Sequence, residues 1–462
     1  MRLGPDTIDR LPASVARPAY DRAAQRRGIV HLGLGAFHRA HQAVYTDAAM
    51  AAGDRDWATT GVSLRSPDVR DALAPQDGLY TVTERGPAGE RTALIGSVRD
   101  TLLAPAAPDD VVRALASPDT RLVTITVTEK GYHRLPDGGL DLDGVDREHA
   151  AGRRTLYHYL GEVLAARRTA GAPGLTIVSC DNLAENGRQL AAWLSAWLDR
   201  RDPALARWFA GACACPSTMV DRIVPATAPA DLDRLAERLG MRDEGAVFTE
   251  PFRQWVIEDR FAGPRPRWEV GGATFVHDVR PFETAKLRML NGAHSALAYL
   301  GLAAGHDFVH QAVADPAIRA VVDRLMRQEA AAGLIPAPGQ DLDVYADALL
   351  ARFGNDALPH RLAQIASDGS QKIGPRWLRS LAAHRARGNP CPATLAALAA
   401  WIRHVGGGAG PVNDPLADEL AALWRTAGRH GIAAALFGPQ GLYAREWTAE
   451  PDELGTLTAA LA

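Results

Sequence analysis

The 462-residue sequence predicts an α/β protein of two domains, a doubly wound parallel sheet with crossover helices followed by an all-helical domain. Three observations carry this. The length is about three times that of an ordinary single domain. Up to about residue 283, short apolar runs alternate with helical stretches. From 284 onward nearly everything has helical periodicity, and no β-rich run of comparable strength follows 285. The expected domains are therefore residues 1–283 and 284–462.

The elements follow in order. Residues 27–41, ArgGlyIleValHisLeuGlyLeuGlyAlaPheHisArgAlaHis, read as an apolar strand, a glycine turn and a helix start. This is the pattern of a dinucleotide-binding turn of Rossmann type. Gly33 permits the bend, and Gly35 lets backbone N–H groups approach a pyrophosphate at the helix N-terminus. His38 stands where the usual third glycine would be. The cofactor contacts are expected within 29–40, at Gly33, Gly35, Ala36, Phe37, His38 and Arg39. Further strands are expected at 59–64, 121–127 and 175–180, with helices at 109–116 and 154–168 between them. Beyond 284, Gly/Pro-rich loops at 332–339 and 406–415 interrupt the helices.

Composition narrows the function. A formal charge of −3 gives no concentrated basic face for nucleic acid. No apolar run reaches the 18 or more residues of a membrane span. The N-terminal segment lacks the apolar core of a secretory signal, so a cytoplasmic protein is expected. Four cysteines are too few for a disulfide scaffold. The pair at Cys213 and Cys215 has no second Cys or His pair near it, and His31, His38 and His41 do not have the spacing of a helical zinc site. No metal is expected.

Only three of the 51 basic residues are lysine: Lys130, Lys286 and Lys372. A guanidinium is never deprotonated in a protein, whereas a buried ammonium can become a neutral amine. The surviving lysines are thus candidates for work arginine cannot do. Asparagine is also rare, with six in all. On the helix opening the second domain, Lys286, Asn291 and His294 fall at 0°, 140° and 80° at about 100° per residue, on one side. An amine, an amide and an imidazole on one face suit removal of a proton from an alcohol and stabilisation of the alkoxide. The polar strand end at 179–187 offers Asn182 as a second donor to the same oxygen. The cluster at 128–132 places Glu129 and Lys130 at a cleft mouth.

These segments, with SerThrMetValAspArgIleValPro (217–225), GluProPheArgGlnTrpValIleGlu (250–258) and AspGlySerGlnLys (368–372), occur in the order of a known pattern. The sequence resembles the polyol-specific long-chain dehydrogenases, which include mannitol 2-dehydrogenases and fructuronate reductases (mannonate oxidoreductases), over about residues 27–450. The resemblance implies metal-independent hydride transfer between nicotinamide and a secondary carbon of a sugar alcohol. It makes Lys286 the general base, Asn182 and Asn291 the donors to the substrate oxygen, and His294 a substrate-orienting partner. Glu129, Asp221 and Lys372 match further active-site positions.

Two departures stand out. Arg65 and Ser66 follow the second strand where an NAD site usually has an acid. NAD is expected on the resemblance, and Arg65 leaves NADP open. Residues 371–377, GlnLysIleGlyProArgTrp, differ from the commoner LysLeuProGlnArg ending. The substrate is a small sugar alcohol, ketose or sugar acid, and Arg361 or Lys372 could meet a carboxylate. A monomer or small homo-oligomer is expected, with neither nucleic acid nor membrane as partner. The competing readings are a β-hydroxyacid dehydrogenase and a dinucleotide-binding regulator without turnover.

Overall fold

The computed structural model describes every residue except Ala409 and Ala462. The chain divides into two units, Met1–Val279 and Arg280–Ala462.

The first unit contains eleven strands: β1 (Ile29–Leu32), β2 (Thr59–Ser63), β3 (Tyr80–Gly86), β4 (Gly89–Ile95), β5 (Val98–Leu103), β6 (Leu122–Ile125), β7 (Thr176–Ser179), β8 (Thr218–Asp221), β9 (Val247–Thr249), β10 (Gln254–Glu258) and β11 (Thr274–Val276). Five of them form a parallel sheet in the order β5-β2-β1-β6-β7. The chain leaves β1 toward β2 and β5, then returns to the other side for β6 and β7. The strand order therefore reverses between β1 and β6, where open α/β sheets bind ligands.

β1, β2, β6 and β7 are buried along their whole length, as expected for strands covered on both faces. The two-residue alternation of a strand divides their side chains between separate cores. Val30, Leu32, Val123, Ile125 and Ile177 point to one side, where Leu115, Leu160, Leu164, Leu194 and Trp197 of the crossover helices meet them. Ile29, Leu122 and Val178 point to the other, against Tyr45, Trp255 and Trp268. The segment around Ala214 bridges β7 at Thr176 in parallel, so Cys213 and Cys215 flank one more link at the sheet edge. The remaining strands form two smaller sheets, β4-β3-β9 and β11-β10-β8.

In the second unit no strand occurs among the described residues. Its centre is the helix Gly292–Ala303, on which Ala293, Ala296, Leu297, Ala298 and Tyr299 are all inaccessible. A helix apolar on every side is a core helix. Pro392–Val405 packs on it with Leu398, Trp401 and Ile402.

One expectation needs correcting. The segment carrying Lys286, Asn291 and His294 is not one continuous α-helix. Arg280–Ala285 is α-helical, Lys286–Asn291 is a π turn, and the α-helix resumes at Gly292. A π turn closes its hydrogen bonds from i to i+5. Lys286 and Asn291, five apart, therefore lie about one turn from each other on the same side rather than about 140° apart. Two more π turns occur in this unit, at Leu325–Ala330 and Gly374–Leu378, and both touch the first.

Candidate active site

In the first unit the chain leaves β1 and turns at Gly33, where φ is +100° and the N–H donates to the Val62 carbonyl of β2 at 2.9 Å. A Cβ at Gly33 would stand 2.0 Å from the carbonyl oxygen of Thr126, just past β6. Glycine is thus required by two strand ends that nearly touch. Gly35 caps the helix Ala36–Ala40 in an extended conformation. Within 4 Å of its absent Cβ lies only the Gly33 carbonyl, so the helix start faces open space. A cavity of ≈ 790 Å³ opens at the carboxyl ends of β1, β2 and β6, lined by Gly33, Arg65, Thr126, Thr128 and His133 among others. Its position at the switch point, its size and the bare glycine turn fit a dinucleotide.

Of the residues expected at this turn, Gly33 lines the cavity and Gly35, Ala36, Phe37, His38 and Arg39 do not. Gly35, Ala36 and Phe37 are half-buried, whereas His38 and Arg39 are only 2% and 7% exposed and point into the protein. The His38 ring stacks on His31 with centroids 3.5 Å apart. His31 bonds Thr124 Oγ1 through Nδ1 at 2.8 Å and Thr126 Oγ1 through Nε2 at 2.9 Å. His41 Nε2 donates to the Gln254 carbonyl at 2.9 Å, and its Nδ1 accepts from the Gln42 amide at 3.0 Å. Burial pushes the pKa of His31 and of His41 down to about 3, and that of His38 well below its ordinary value. The three histidines form a neutral column inside the unit. Among the described residues no group of three or more His, Cys, Asp or Glu could hold a metal ion.

Glu129 and Lys130 are exposed on the short helix Thr128–Gly131. A residue of the strand end 179–187 other than Asn182 holds this helix in place. Asp181, past the end of β7, accepts from the Val127 and Thr128 N–H groups at 2.9 and 3.1 Å and from the Tyr132 hydroxyl at 2.7 Å. Burial raises its pKa against the pull of these bonds. Thr128 sits at φ +65°, a conformation the double clamp enforces. Asn182 follows at the surface. Asn186, another of the rare asparagines, is structural. Its amide donates to the Asp181 and Thr218 carbonyls at 2.9 Å each, tying β7 to β8.

Asp221 ends β8 opposite Gln254 and is 6% exposed. Its neighbour Arg222 explains much of the motif around it. The buried guanidinium donates to the Ala40 carbonyl at 2.5 Å and the Glu250 carbonyl at 2.9 Å, and pairs with Glu84 at 2.5 Å. It thereby anchors the C-terminal end of the helix after the glycine turn.

In the second unit Lys286 is 9% exposed, and Asn291 and His294 are half-buried. His294 lies against Phe353 and His360, with centroids 4.8 and 5.7 Å away. Burial first, then the charges of His360, Arg352 and Arg376, push its pKa well down, so it is a neutral donor or acceptor. Arg376 is the anchor that sequence reasoning missed. From the π turn Gly374–Leu378 it donates through Nη1 to the Asn291 carbonyl at 3.1 Å and to Ser295 Oγ at 2.6 Å. Burial lowers its pKa to about 10, still well above neutrality. In a chain with so many arginines nothing in composition marks this one.

Lys372 is half-buried. Its ammonium donates to the Ile365 carbonyl at 3.2 Å and to the Ser367 carbonyl, and so caps the helix Leu362–Ala366. Arg361 is exposed at the start of that helix, its guanidinium 5.1 Å from the Phe308 ring.

A doubly wound unit with a glycine turn and a helical unit with a buried lysine beside an amide define a dehydrogenase of the two-domain kind. The chain belongs to the mannitol dehydrogenase family. The family's Rossmann domain matches residues 27–270 and its C-terminal domain residues 278–460. It is 41% identical to the D-mannonate oxidoreductase of Escherichia coli K12, covering 96% of this chain and 95% of that protein. A mannitol 2-dehydrogenase of Aspergillus terreus is 38% identical, over 96% of this chain and 92% of its own. The mannitol 2-dehydrogenase of Pseudomonas fluorescens, solved as a ternary complex with NAD and D-mannitol, superposes with a TM-score of 0.81 at 36% identity. That match covers 100% of this chain and 95% of the other.

Proposed function

We propose that this protein is an NAD-dependent, metal-independent oxidoreductase moving hydride between nicotinamide and a secondary alcohol of a polyol or aldonate. D-mannitol/D-fructose and D-mannonate/D-fructuronate are the two substrate pairs. The observation that carries the reading is the π turn of the helical unit, which sets a buried Lys286 about one turn from Asn291 and is pinned by Arg376. Membership of the family and the glycine turn of the first unit support it.

When bound, the nicotinamide supplies the hydride acceptor for alcohol oxidation and the donor for ketone reduction. The chain's own residues do the rest. Lys286, as a neutral amine, takes the proton of the alcohol and returns it in the reverse direction. Asn291 and Asn182 donate to the substrate oxygen and favour the form in which it carries negative charge. His294 orients a further hydroxyl. Glu129 and Asp221 are substrate-binding groups, and Arg361 or Lys372 is the candidate to meet a carboxylate. We further read the protein as cytoplasmic, a monomer or small homo-oligomer, without nucleic-acid or membrane partners. Its modest charge supports this, and among the described residues no helix is long and apolar enough to cross a membrane.

The deciding change is Lys286→Arg, which keeps the charge and about the reach but cannot lose a proton. Alcohol oxidation should fall about 10²–10⁴-fold, and its pH profile should lose the ionisation that governs it. NADH affinity should change little. A variant that retains more than about a third of the wild-type rate would remove Lys286 as proton acceptor. A panel of ketoses and sugar acids with NADH names the substrate, and activity should survive exhaustive chelation.

A further inference from the structure

The dinucleotide cavity of the first unit carries a feature that an NAD site does not require. In a doubly wound sheet, the residue after the second strand meets the 2′ position of the adenosine ribose. An acid there accepts from the ribose hydroxyl and repels a phosphate. In this chain β2 ends at Ser63 and is followed by Leu64, Arg65 and Ser66. Arg65 is exposed and lines the cavity. Among the described residues its guanidinium makes no direct hydrogen bond or ion pair, and its charge acts at longer range on Glu148 and His133 of the same cavity.

The other charged groups of the cavity are already engaged. Glu148 is the carboxylate among the lining residues, and Arg153 grips it with Nε at 2.6 Å and Nη2 at 3.2 Å. Arg154 pairs with Glu162 at 3.2 Å. Asp68, the nearest acid along the chain, opens the helix Asp68–Leu73, with its backbone N–H 3.3 Å from Ser66 Oγ. The cavity wall at the end of β2 thus presents a guanidinium that no carboxylate grips directly, with the Ser66 hydroxyl next to it in the chain.

We propose that this wall is a phosphate subsite, in which Arg65, with Ser66 beside it, receives the 2′-phosphate of NADP, so that the protein accepts both dinucleotides. The subsite rests on the reading of the cavity as the cofactor site. A guanidinium offers parallel donors to two phosphate oxygens, and its charge is not lost at any working pH. NAD lacks the phosphate and is not repelled by Arg65, so a site built this way discriminates weakly.

The test is binding without turnover, by calorimetry on the full-length protein with NAD+, NADP+, 5′-AMP and adenosine 2′,5′-bisphosphate. The expected result is an NADP+ Kd within about tenfold of that for NAD+, and bisphosphate binding tighter than 5′-AMP. A charge-assisted contact corresponds to about a ten- to hundredfold change in affinity. Arg65→Ala should therefore weaken NADP+ at least about tenfold more than it weakens NAD+. NAD+ binding with NADP+ more than about a hundredfold weaker, or equal losses for both in the variant, would overturn the subsite and leave the cofactor site standing. Failure of all four probes to bind would overturn the cofactor site and the subsite together.

Discussion

The histidine column makes the first unit acid-labile in a calculable way. His31 and His41 are inaccessible, and burial holds both near a pKa of about 3 against an ordinary 6.5. In the unfolded chain each takes up a proton as the pH falls through 6.5, and in the folded chain it does not. The unfolded state therefore binds more protons between about 6.5 and 3, and stability is lost as the pH falls through that window. Each pH unit of it is worth ~1.4 kcal/mol per histidine. At pH 4.5 the two together have removed ~5 kcal/mol, a large part of an ordinary domain's stability. Asp47 works in the opposite sense. Burial raises its carboxyl from 3.8 to about 6, so the folded state takes the proton first and gains ~2 kcal/mol by pH 4.5. Asp181 and Asp243, also raised, act in the same direction as Asp47. His41→Gln isolates the histidine contribution, because a glutamine amide can still donate to the Gln254 carbonyl. Urea unfolding between pH 4 and 6.5, followed by circular dichroism, gives stability against pH. The slope for the variant should be ~1.4 kcal/mol per pH unit shallower than that of the wild type. Equal slopes would mean that His41 titrates alike in both states, and the argument from burial would fail.

Two further outcomes follow from single contacts. Gly33→Ala puts a methyl group 2.0 Å from the Thr126 carbonyl at a φ of +100°, and should cost about 2 kcal/mol or more in a thermal melt and weaken NAD+ binding, whereas Gly35→Ala, with open space before it, should cost under about 1 kcal/mol. Arg376→Met deprives the Asn291 carbonyl and the Ser295 hydroxyl of a charged donor. Steady-state kinetics should show kcat down about 10- to 100-fold through misplacement of Asn291, with the dinucleotide Kd little changed and partial rescue by Arg376→Lys.

Four strands of the parallel sheet were legible because they are short, free of Asp, Glu, Lys and Arg, and separated by helical stretches. The expected runs at 59–64, 121–127 and 175–180 are β2, β6 and β7, each trimmed by a residue or more at its ends. The expected helices at 109–116 and 154–168 are Pro108–Ala116 and Leu156–Thr169. The smaller sheets and the edge strand β5 of the parallel sheet were not legible. TyrThrValThrGluArg in β3 alternates polar and apolar residues, and ValArgAspThrLeuLeu in β5 is a polar edge strand, so neither stands out against the apolar runs. In the candidate site, scarcity singled out Lys286, Asn291 and Lys372, because a rare residue type is informative. It did not show the carbonyl partners of Lys372, which are fixed by tertiary structure. It was blind to Arg376 and Asp181, common residue types whose work shows only in their hydrogen bonds. Nor does helical periodicity register a π turn, because one added residue leaves the pattern on either side intact.

That added residue has a consequence for how the helical unit can tolerate change in length. Removing one residue from an ordinary helix swings everything beyond it by about 100° and turns its buried stripe toward water. At Lys286–Asn291, Leu325–Ala330 and Gly374–Leu378 the surplus is already looped out, so losing one residue would let the backbone tighten to α-helix with both flanks facing as before. Among its described residues the unit thus carries three places where a codon can be lost without refacing the core. At the first of them such a loss would dissolve the five-residue alignment of Lys286 with Asn291. There the fold would survive the deletion and the chemistry would not.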